Sequence, residues 1–416
     1  MHLSPSPLAR SPRPDLRFPP LERLDRTCAG CERAGLEVFY RLPEVPTNSC
    51  ILLDDEAGAR GYPRAALELA ACPACGLVQN PRFEQGRVEY SARYEETQAF
   101  SGTFNGFARD LAGRLVANHG LRGKHLLEVG CGKGEFLALL CELGENRGLG
   151  VDPGFRPERL ESAAGARMRF VRDYYRAGLS DEPFDFVACR HTLEHVPDPL
   201  AFLREIRRDM DQNPAARLFV EVPDLLRVLE TGAFWDVYYE HCVYFSAGTL
   251  ARVLRLAGFE VEALELDYGD QYLLAVARPA TGAPSSAPLA LEDDLERVRH
   301  GVRRFQRVCQ AQLEAWGDRL RDGARRGEHT ALWGSGSKAV SFLTTLGRAA
   351  DGVDAIVDIN PHKHGKFLPM AARRIAAPEA LRAAPPQRVV AMNPVYRGEI
   401  AADLARLGVR AQLVSV

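Results

Sequence analysis

The sequence predicts a multidomain α/β protein in which a doubly wound core lies between a small cysteine-bearing module and a second α/β unit. Its 416 residues are too many for one hydrophobic core, so two or three domains are expected. Between residues 124 and 279, short β-branched runs alternate with amphipathic stretches, which is the pattern of a doubly wound sheet. From Thr330 a strand, a glycine-rich turn and a helix recur. The predicted core strands are His125–Val129, Gly148–Asp152, Met168–Asp173, Phe184–Cys189, Leu218–Val222, Phe259–Leu266 and Gln271–Ala277.

The overall composition excludes several classes of protein. Hydrophobic residues make up 46% of the chain and charged residues 26%, which is an ordinary globular balance. The formal net charge is −2 and no dense Lys/Arg block occurs, so neither a nucleic-acid partner nor a membrane partner is predicted. No apolar run approaches the roughly 20 residues that span a bilayer. The cysteines, four in two CxxC pairs and the others single, fit a reduced, cytoplasmic compartment.

Composition divides the chain into five segments. They are a disordered tail rich in Ser, Pro and Arg over 1–22, the cysteine-bearing module over 23–82, the core with a helical lead-in over 83–279, a linker and long helix over 280–328, and the C-terminal unit over 329–416. The helical lead-in is expected from about Phe83 to Gly120. In the long helix, apolar residues recur at helical spacing from Leu291 to Leu320, and this stripe is expected to face the core. A dimer seam is the alternative, so the chain is expected to be a monomer or a homodimer.

Two CxxC pairs predict a metal site. Cys28 and Cys31 form the first pair, Cys72 and Cys75 form the second, and 40 residues separate the pairs. Two residues between cysteines direct both thiolates at one ion, and two such pairs complete a tetrahedral Zn²⁺ site. Because protein would supply all four ligands, the zinc would be structural. Two redox dithiols, or unpaired buried thiols, are the alternatives.

The segment 126–137 (LLEVGCGKGEFL) gives the strongest signal in the chain. It predicts a strand, then a turn that contains Gly130, Gly132 and Gly134, and then a helix whose first amides are free. Asp152 lies 22 residues after Gly130, at the end of the next strand, where it can accept hydrogen bonds from both ribose hydroxyls.

The acidic residue before this turn separates two kinds of nucleotide site. Glu128 would face the pyrophosphate of a dinucleotide, whereas it suits the cationic methionine portion of S-adenosylmethionine. The segment therefore resembles the motif of class I methyltransferases (E/D-x-G-x-G-x-G), which have a Rossmann-like α/β core. Asp173, at the end of the third strand, is placed for the adenine amino group. The segment Cys189–Pro199 looks like the one that follows strand four in these enzymes, and it adds His191 as a cofactor-binding candidate.

A candidate catalytic stretch, Phe234–Ser246, follows the fifth core strand and concentrates aromatic residues beside a carboxylate and a histidine. The pKa of a histidine lies near neutrality, so His241 can take a proton at cellular pH. Glu240, next to it, can tune that pKa or contact substrate hydroxyls. On residue types alone, packing roles for His241 and Tyr244 are equally open.

Five motifs together resemble the three-part sugar C-methyltransferase family, from the first cysteine pair to the C-terminus: CxxC…CxxC, LEVGCGKGEF, YEHCVYFS, GSGSKAVSFL and VDINPHKHGKFLPM. The resemblance implies a zinc-binding module, a methyltransferase core and a second Rossmann-like domain, acting on TDP-linked 4-keto deoxysugars. It assigns His241 as general base, with Glu240 and Tyr238 positioning the sugar. It also implies a pocket tyrosine after the zinc module, for which Tyr94 is the first candidate and Tyr90 the second.

Two segments depart from the pattern of that family. Asp267–Tyr272 stands where a His-Gly-Gly type segment is common, and Met392–Tyr396 differs from the Trp-Asn form of the deoxysugar enzymes. The departures bear on the methyl acceptor and leave the cofactor prediction unchanged.

The C-terminal unit carries its own glycine turn, in which Gly334, Gly336 and Lys338 can hold phosphate at a helix start. Asp358 lies 24 residues after Gly334 and could hold a ribose, so this unit taken alone suggests NAD. The family resemblance instead implies that it contributes to a sugar-nucleotide site. An empty Rossmann-like scaffold is the third interpretation.

The sequence thus predicts methyl transfer from S-adenosylmethionine to a small molecule, a carbon acid of the nucleotide-linked keto-sugar type. Carbon becomes nucleophilic only after a proton α to a carbonyl is removed, so a base and an oxyanion-stabilising donor must flank the substrate. An O- or N-methyltransferase acting on a related small metabolite is one alternative, because proximity and mild deprotonation suffice there. An NAD-dependent oxidoreductase that uses the C-terminal unit is the alternative of another class.

Overall fold

The structure, a computed structural model, describes residues 18–19, 21–282 and 287–416. Most of the predicted tail and the middle of the predicted linker lie outside the described residues. Within the described part of the chain, no helix is both long and apolar enough to cross a membrane.

The N-terminal module is an antiparallel sheet that borrows its last strand from the core. Its own elements are β1 (Glu22–Thr27), β2 (Ala34–Pro46), α1 (Glu56–Arg60), β3 (Arg64–Ala71) and β4 (Val78–Gln79). The strand order β1-β2-β3-β4 is extended by residues Val243–Tyr244, which pair with β4. The module is therefore hydrogen-bonded directly to the segment that follows His241.

The helical lead-in is shorter than predicted. Its α-helix is α2 (Gly102–Asn118), which begins where Ser101 Oγ accepts a hydrogen bond from the Phe104 amide at 3.1 Å. A single 3₁₀ turn at Gln85–Arg87 precedes it. The prediction of a helix from Phe83 was wrong because the chain before α2 bonds to the N-terminal module instead. The Glu95 amide donates to the carbonyl oxygen of Cys50 at 2.9 Å, and this extended path brings two tyrosines to the site described below.

The core is a seven-stranded sheet with an antiparallel hairpin at one edge. The core elements are β5 (His125–Val129), α3 (Glu135–Gly144), β6 (Arg147–Val151), β7 (Met168–Val171), β8 (Phe186–Arg190), α4 (Pro199–Asp209), β9 (Arg217–Pro223), α5 (Leu225–Thr231), β10 (Val243–Tyr244), α6 (Ala247–Leu256), β11 (Phe259–Asp267) and β12 (Tyr272–Pro279). The order is β11-β12-β9-β8-β5-β6-β7, with β5 to β9 parallel and β12 antiparallel to β9 and β11. All seven predicted strands are present, and the class I methyltransferase fold is confirmed.

A long helix leads into a second parallel sheet. The elements are α7 (Leu295–Arg325), β13 (Thr330–Trp333), α8 (Ser337–Leu346), β14 (Ala355–Val357), β15 (Ile375–Ala376), β16 (Arg388–Ala391), α9 (Arg397–Leu407) and β17 (Gln412–Ser415), with strand order β15-β14-β13-β16-β17. The apolar stripe of α7 is buried inside the chain, where Phe305 packs edge-on against Tyr40 at 5.3 Å between ring centroids. The stripe therefore faces the core, as predicted, and is not left as a dimer seam.

One hydrophobic cluster joins the three units. It includes Tyr40 from the N-terminal module, Phe234 from the core and Phe342 from the C-terminal unit, each fully buried. Phe234 and Phe342 stack with their centroids 5.8 Å apart. This shared hydrophobic cluster holds the three units in contact and so determines which surface of each unit lines the site described below.

Candidate active site

A cavity of about 790 Å³ lies where the three units meet. All three contribute to its walls. The wall residues on which the chemistry depends are Cys50, Tyr90, Tyr94, Glu128, Gly130, Gly132, Asp152, His191, Glu194, His195, Asp236, Tyr238, His241, Gly334, Gly336 and Lys338.

The glycine turn after β5 forms one wall. Gly130, Gly132 and Gly134 have φ values of 71°, 54° and 80°, the left-handed region that side chains disfavour. A Cβ on Gly130 would overlap the side chain of Thr192. Gly134 is the N-cap of α3 and lies outside the wall, where a Cβ would press on Phe170 at 2.8 Å. The sequence therefore needs glycine here to bring bare backbone to the cavity.

Asp152, at the end of β6, braces this turn and faces the cavity. Its two carboxylate oxygens accept hydrogen bonds from the amides of Gly132 at 2.9 Å and Gly154 at 2.6 Å. Burial raises the pKa of Asp152 to about 6. Lone pairs remain on both oxygens, so the carboxylate can hold the turn and still accept from a ligand.

Asp173 does not reach the cavity, which corrects the prediction that it contacts adenine. β7 ends at Val171, and the Asp173 carboxylate pairs with Arg176 at 2.7 Å toward solvent. The neighbouring Tyr174 lines the cavity in its place.

Glu128 is fully buried at the base of the turn and lines the cavity. One oxygen accepts a hydrogen bond from the Leu137 amide at 2.9 Å. Burial raises the pKa of Glu128 to about 8, although Arg190 and the Leu137 amide oppose the shift. A cationic ligand beside this carboxylate would relieve the cost of its ionisation.

His241 stands on the opposite wall, fixed by strand pairing with the N-terminal module. The Asn80 amide donates to the Cys242 carbonyl oxygen at 2.8 Å, next to the pairing of β10 with β4. Burial lowers the pKa of His241 well below its ordinary value, and the neighbouring basic groups of His195, His191 and Lys338 lower it further. His241 is therefore neutral at pH 7, the form that can accept a proton.

Two residues near His241 have different surroundings. Tyr238 lines the cavity, and its hydroxyl donates to Asp236 Oδ1 at 2.9 Å, a carboxylate that also pairs with Lys338. Glu240 is buried behind the wall, where one oxygen accepts from the Ser49 amide at 2.8 Å and from the Ser49 hydroxyl. The resemblance implied that Glu240 positions the sugar. The structure instead places its carboxylate behind the wall, where it could not contact sugar hydroxyls.

Both candidate tyrosines reach the cavity. Tyr94 and Tyr90 meet edge-on with centroids 5.4 Å apart. The Tyr90 hydroxyl is hydrogen-bonded to His195 Nδ1 at 2.8 Å. The backbone carbonyl of Tyr94 accepts from Lys133 Nζ in the glycine turn at 2.9 Å. The second candidate, Tyr90, is thus the tyrosine coupled to a histidine.

The predicted phosphate-binding turn of the C-terminal unit also faces the cavity. Gly334, with φ of 104°, Gly336 and Lys338 all line it. Asp358 accepts hydrogen bonds from the amides of Ser335 at 2.8 Å and Asn360 at 2.9 Å. The Ser335 hydroxyl also donates to this carboxylate at 2.6 Å, and Lys363 Nζ donates to it at 3.4 Å. With four donors around it, Asp358 has less capacity left for a ligand than Asp152 has, which speaks against Asp358 as a ribose anchor for NAD.

The four predicted metal ligands come together away from the cavity. Cys28 Sγ lies 3.6 Å from Cys75 Sγ, and Cys31 Sγ lies 3.6 Å from Cys72 Sγ. All four sulfur atoms lie within 4.8 Å of one another. This set of four thiols fits a tetrahedral ion with four sulfur ligands.

Comparisons with known proteins agree with this architecture. Residues 103–264 match the family model of a methyltransferase domain, and residues 289–413 match that of a C-methyltransferase C-terminal domain. The C-methyltransferase NovU of Streptomyces niveus is 25% identical over 346 residues, covering 79% of this chain and 80% of its own. The chain thus combines a methyltransferase domain with a C-methyltransferase C-terminal domain. It is an S-adenosylmethionine-dependent methyltransferase.

Other similar proteins match a smaller share of the chain. A ubiquinone biosynthesis O-methyltransferase of Pseudomonas aeruginosa (strain UCBPP-PA14) is 29% identical over 162 residues, covering 34% of this chain and 67% of its own. A solved Burkholderia thailandensis 1,6-didemethyltoxoflavin-N1-methyltransferase with bound S-adenosylhomocysteine is 24% identical, with a TM-score of 0.32, and covers 42% of this chain and 78% of its own.

Sequence reasoning missed several residues of the site. Asp236, Glu194 and His195 line the cavity and contact or flank the predicted residues. The segment Cys189–Pro199 contains two of them, and its resemblance to the region after strand four was a usable signal. Asp236 lies inside the candidate stretch Phe234–Ser246. Its role was still missed, because its partner Lys338 is 102 residues away in sequence.

Proposed function

We propose that this methyltransferase transfers a methyl group from S-adenosylmethionine to a carbon α to the carbonyl of a nucleotide-linked keto sugar. The supporting observation is that one cavity joins the glycine turn of the core, a neutral histidine and the glycine turn of the C-terminal unit. Bringing a methyl donor, a base and an anion-binding turn into one enclosed space removes much of the entropic cost of the reaction.

The cofactor would occupy the wall formed by Gly130, Gly132 and Asp152. Asp152 would accept from the ribose hydroxyls, and Glu128 would balance the cationic methionine portion. S-Adenosylmethionine supplies an electrophilic methyl group when bound. Gly134 acts indirectly, because it starts α3 and thereby orients the free amides of that helix.

His241 would serve as general base. It is neutral at pH 7, it lines the cavity, and the burial that lowers its pKa also keeps water from competing for the proton. Tyr238 would position the acceptor through its ring and its bond to Asp236, and Tyr94 would line the acceptor site. Glu240 would position the segment that carries His241 by holding Ser49, instead of touching the sugar.

The nucleotide part of the acceptor would lie toward the C-terminal unit. The free amides at the start of α8 and the Lys338 ammonium favour a diphosphate. Lys338 is paired with Asp236, which also accepts the hydrogen bond of the Tyr238 hydroxyl. A bound diphosphate would therefore share the Lys338 ammonium with Asp236.

The cysteine cluster would bind one structural Zn²⁺, held by Cys28, Cys31, Cys72 and Cys75. Arg252 donates to the Cys75 carbonyl oxygen at 2.7 Å, and Arg299 donates to the Pro73 carbonyl oxygen at 3.1 Å. These bonds dock the second pair on α6 and α7, so a zinc there would stabilise the contact between the module and the core.

The decisive experiment supplies isotopically labelled S-adenosylmethionine with a panel of TDP-linked 4-keto deoxysugars and locates any added methyl by mass spectrometry and NMR. A new carbon–carbon bond α to the carbonyl is the expected result. A methyl group found on oxygen or nitrogen would refute the proposal and favour the O- or N-methyltransferase alternative.

The base assignment is tested by hydrogen exchange in D₂O with S-adenosylhomocysteine bound, so that enolisation is seen without methyl transfer. His241→Ala is expected to abolish deuterium incorporation at the α carbon. His300→Ala, on the exposed face of α7, is the matched control and should exchange as the unaltered enzyme does. Exchange that persists in His241→Ala would assign the base to another residue.

A further inference from the structure

His191 has a backbone conformation that few residues with side chains adopt. Its φ is +47°, in the left-handed region, where the Cβ of an L-residue crowds the backbone. Such strain persists only where the surroundings impose it, and it concentrates at functional sites. The residue directly follows β8, and its ring lines the cavity with 30% of the side chain exposed.

Two buried carboxylates flank the His191 ring. Nε2 lies 3.0 Å from Glu221 Oε1, whose other oxygen accepts a hydrogen bond from Arg190 Nε. Nδ1 lies 3.5 Å from Glu194 Oε1. The first contact is a hydrogen bond and fixes the ring, whereas the second is an ion pair in which neither Glu194 oxygen has a hydrogen-bond partner among the described residues. At 3.5 Å the Nδ1–Glu194 contact is the longer and weaker of the two, so a carbonyl oxygen in the cavity could share the Nδ1–H donor with Glu194.

The two histidines of the cavity hold different charges. Burial lowers the pKa of His191, but the carboxylates of Glu221 and Glu194 outweigh burial and raise the pKa to about 9. The pKa of His241 is lowered well below neutrality, in part by the charge of His191 itself. At pH 7 one imidazole is therefore a fixed cation and the other is neutral. Environments that push two pKa values apart in one site assign an acid and a base.

We propose that His191 is a catalytic residue whose Nδ1–H donates a hydrogen bond to the carbonyl oxygen of the acceptor and stabilises the enolate. The inference rests on the proposed function and assigns the oxyanion-stabilising donor that carbon methylation needs. The proton stays on His191 throughout, because Glu221 and Glu194 hold the imidazolium form.

Atoms and electrons balance in this step. His241 takes the α proton, and the electron pair of the broken C–H bond moves toward the carbonyl oxygen, where His191 donates its hydrogen bond. The enolate carbon then attacks the methyl carbon as the carbonyl re-forms. The methyl–sulfur bond breaks with its electron pair left on sulfur, which gives S-adenosylhomocysteine. His241 afterwards releases its proton to solvent.

His191→Asn and His191→Gly test the proposal, because both residues tolerate a left-handed backbone and should keep the fold. The readout is the rate of α-hydrogen exchange of TDP-4-keto-6-deoxyglucose in D₂O with S-adenosylhomocysteine bound. Loss of one oxyanion donor is expected to slow exchange about 10²–10³-fold. The dissociation constant of S-adenosylmethionine should stay unchanged. His300→Asn is the control and should exchange at the rate of the unaltered enzyme.

Three results would overturn the inference and leave the proposed function standing. Exchange at the unaltered rate in both variants would show that His191 donates nothing to the enolate. A parallel loss of S-adenosylmethionine affinity would make His191 a cofactor contact, the role predicted from sequence. Imidazole ¹⁵N chemical shifts that show a neutral His191 at pH 7 would rule out the proposed cationic donor, whichever acceptor substrate is used. No exchange in the unaltered enzyme overturns the proposed function as well, so the failure of the two proposals is distinguishable.

Discussion

Gly130→Ala tests whether the glycine turn is shaped by close approach as well as by its backbone angle. The residue has φ of +71°, and an added Cβ would meet three side-chain atoms of Thr192, two of them at 2.8 and 2.9 Å. Gly178 offers a matched control, because it has φ of +83° and no heavy atom lies within 4 Å of the place that a Cβ would take. Gly178→Ala therefore carries the backbone strain without the overlap.

The expected loss of stability follows from these two terms. A left-handed L-residue costs roughly 1–2 kcal/mol, so Gly178→Ala should lower the free energy of unfolding by about that amount. Gly130→Ala adds the cost of overpacking, roughly 1–3 kcal/mol. Thr192 cannot move freely, because its hydroxyl donates to the Arg190 carbonyl oxygen at 2.9 Å.

Urea unfolding and calorimetric titration with S-adenosylmethionine measure the two consequences. Gly130→Ala should be the less stable variant and should bind the cofactor more weakly, while Gly178→Ala should bind it normally. Adding Thr192→Ala to Gly130→Ala should restore part of the stability, because it removes two of the three overlapping atoms, Oγ1 and Cγ2. Equal destabilisation of the two alanine variants, with unchanged cofactor affinity, would refute the reasoning.

Two further predictions concern the metal and pH. Cys28→Ser should remove Zn²⁺ as measured by elemental mass spectrometry and lower the unfolding midpoint, whereas Cys309→Ala, a buried cysteine outside the cluster, should keep the metal; zinc retained at full occupancy in Cys28→Ser would contradict the assignment. Because burial raises the pKa of Asp152 to about 6, its carboxylate is lost as pH falls through that value, and S-adenosylmethionine affinity should fall about tenfold per pH unit below it. When affinity is measured from pH 4.5 to 9, this fall in S-adenosylmethionine affinity should be absent in Asp152→Asn and present in Asp173→Asn. A fall that persists in Asp152→Asn would show that another group titrates.

Local patterns predicted the fold well where the residues that determine a structure lie close together in sequence. The turn around Gly130 and the carboxylate of Asp152 are specified by residues close in sequence to strand ends, so periodicity and glycine spacing located them. The cysteine pairs could also be predicted from the sequence, because a spacing of two residues between the cysteines fixes the geometry of each pair. The predicted helix from Phe83 failed because Glu95 bonds to Cys50 in another unit, an outcome that local propensity does not encode.

The roles of individual site residues depended on contacts between distant segments. Glu240 and His241 are neighbours in sequence, yet the first is held behind the wall by Ser49 and the second faces the cavity. Asp173 had a suitable position after its strand, but a pair with Arg176 keeps it in solvent. Residue type and spacing alone do not distinguish these outcomes.

The sequence by itself determined the order of the three units, the cofactor class and the four cysteines that form one cluster, because each depends on residues within one strand, turn or short pair. Only the tertiary structure decided the charge of each histidine in the cavity. His191 becomes a cation because Glu221, on the neighbouring strand β9, lies 3.0 Å from its ring, and His241 stays neutral because burial and nearby basic groups oppose its protonation. A side chain brings its chemistry from the sequence, but its pKa is set by the groups that folding places around it.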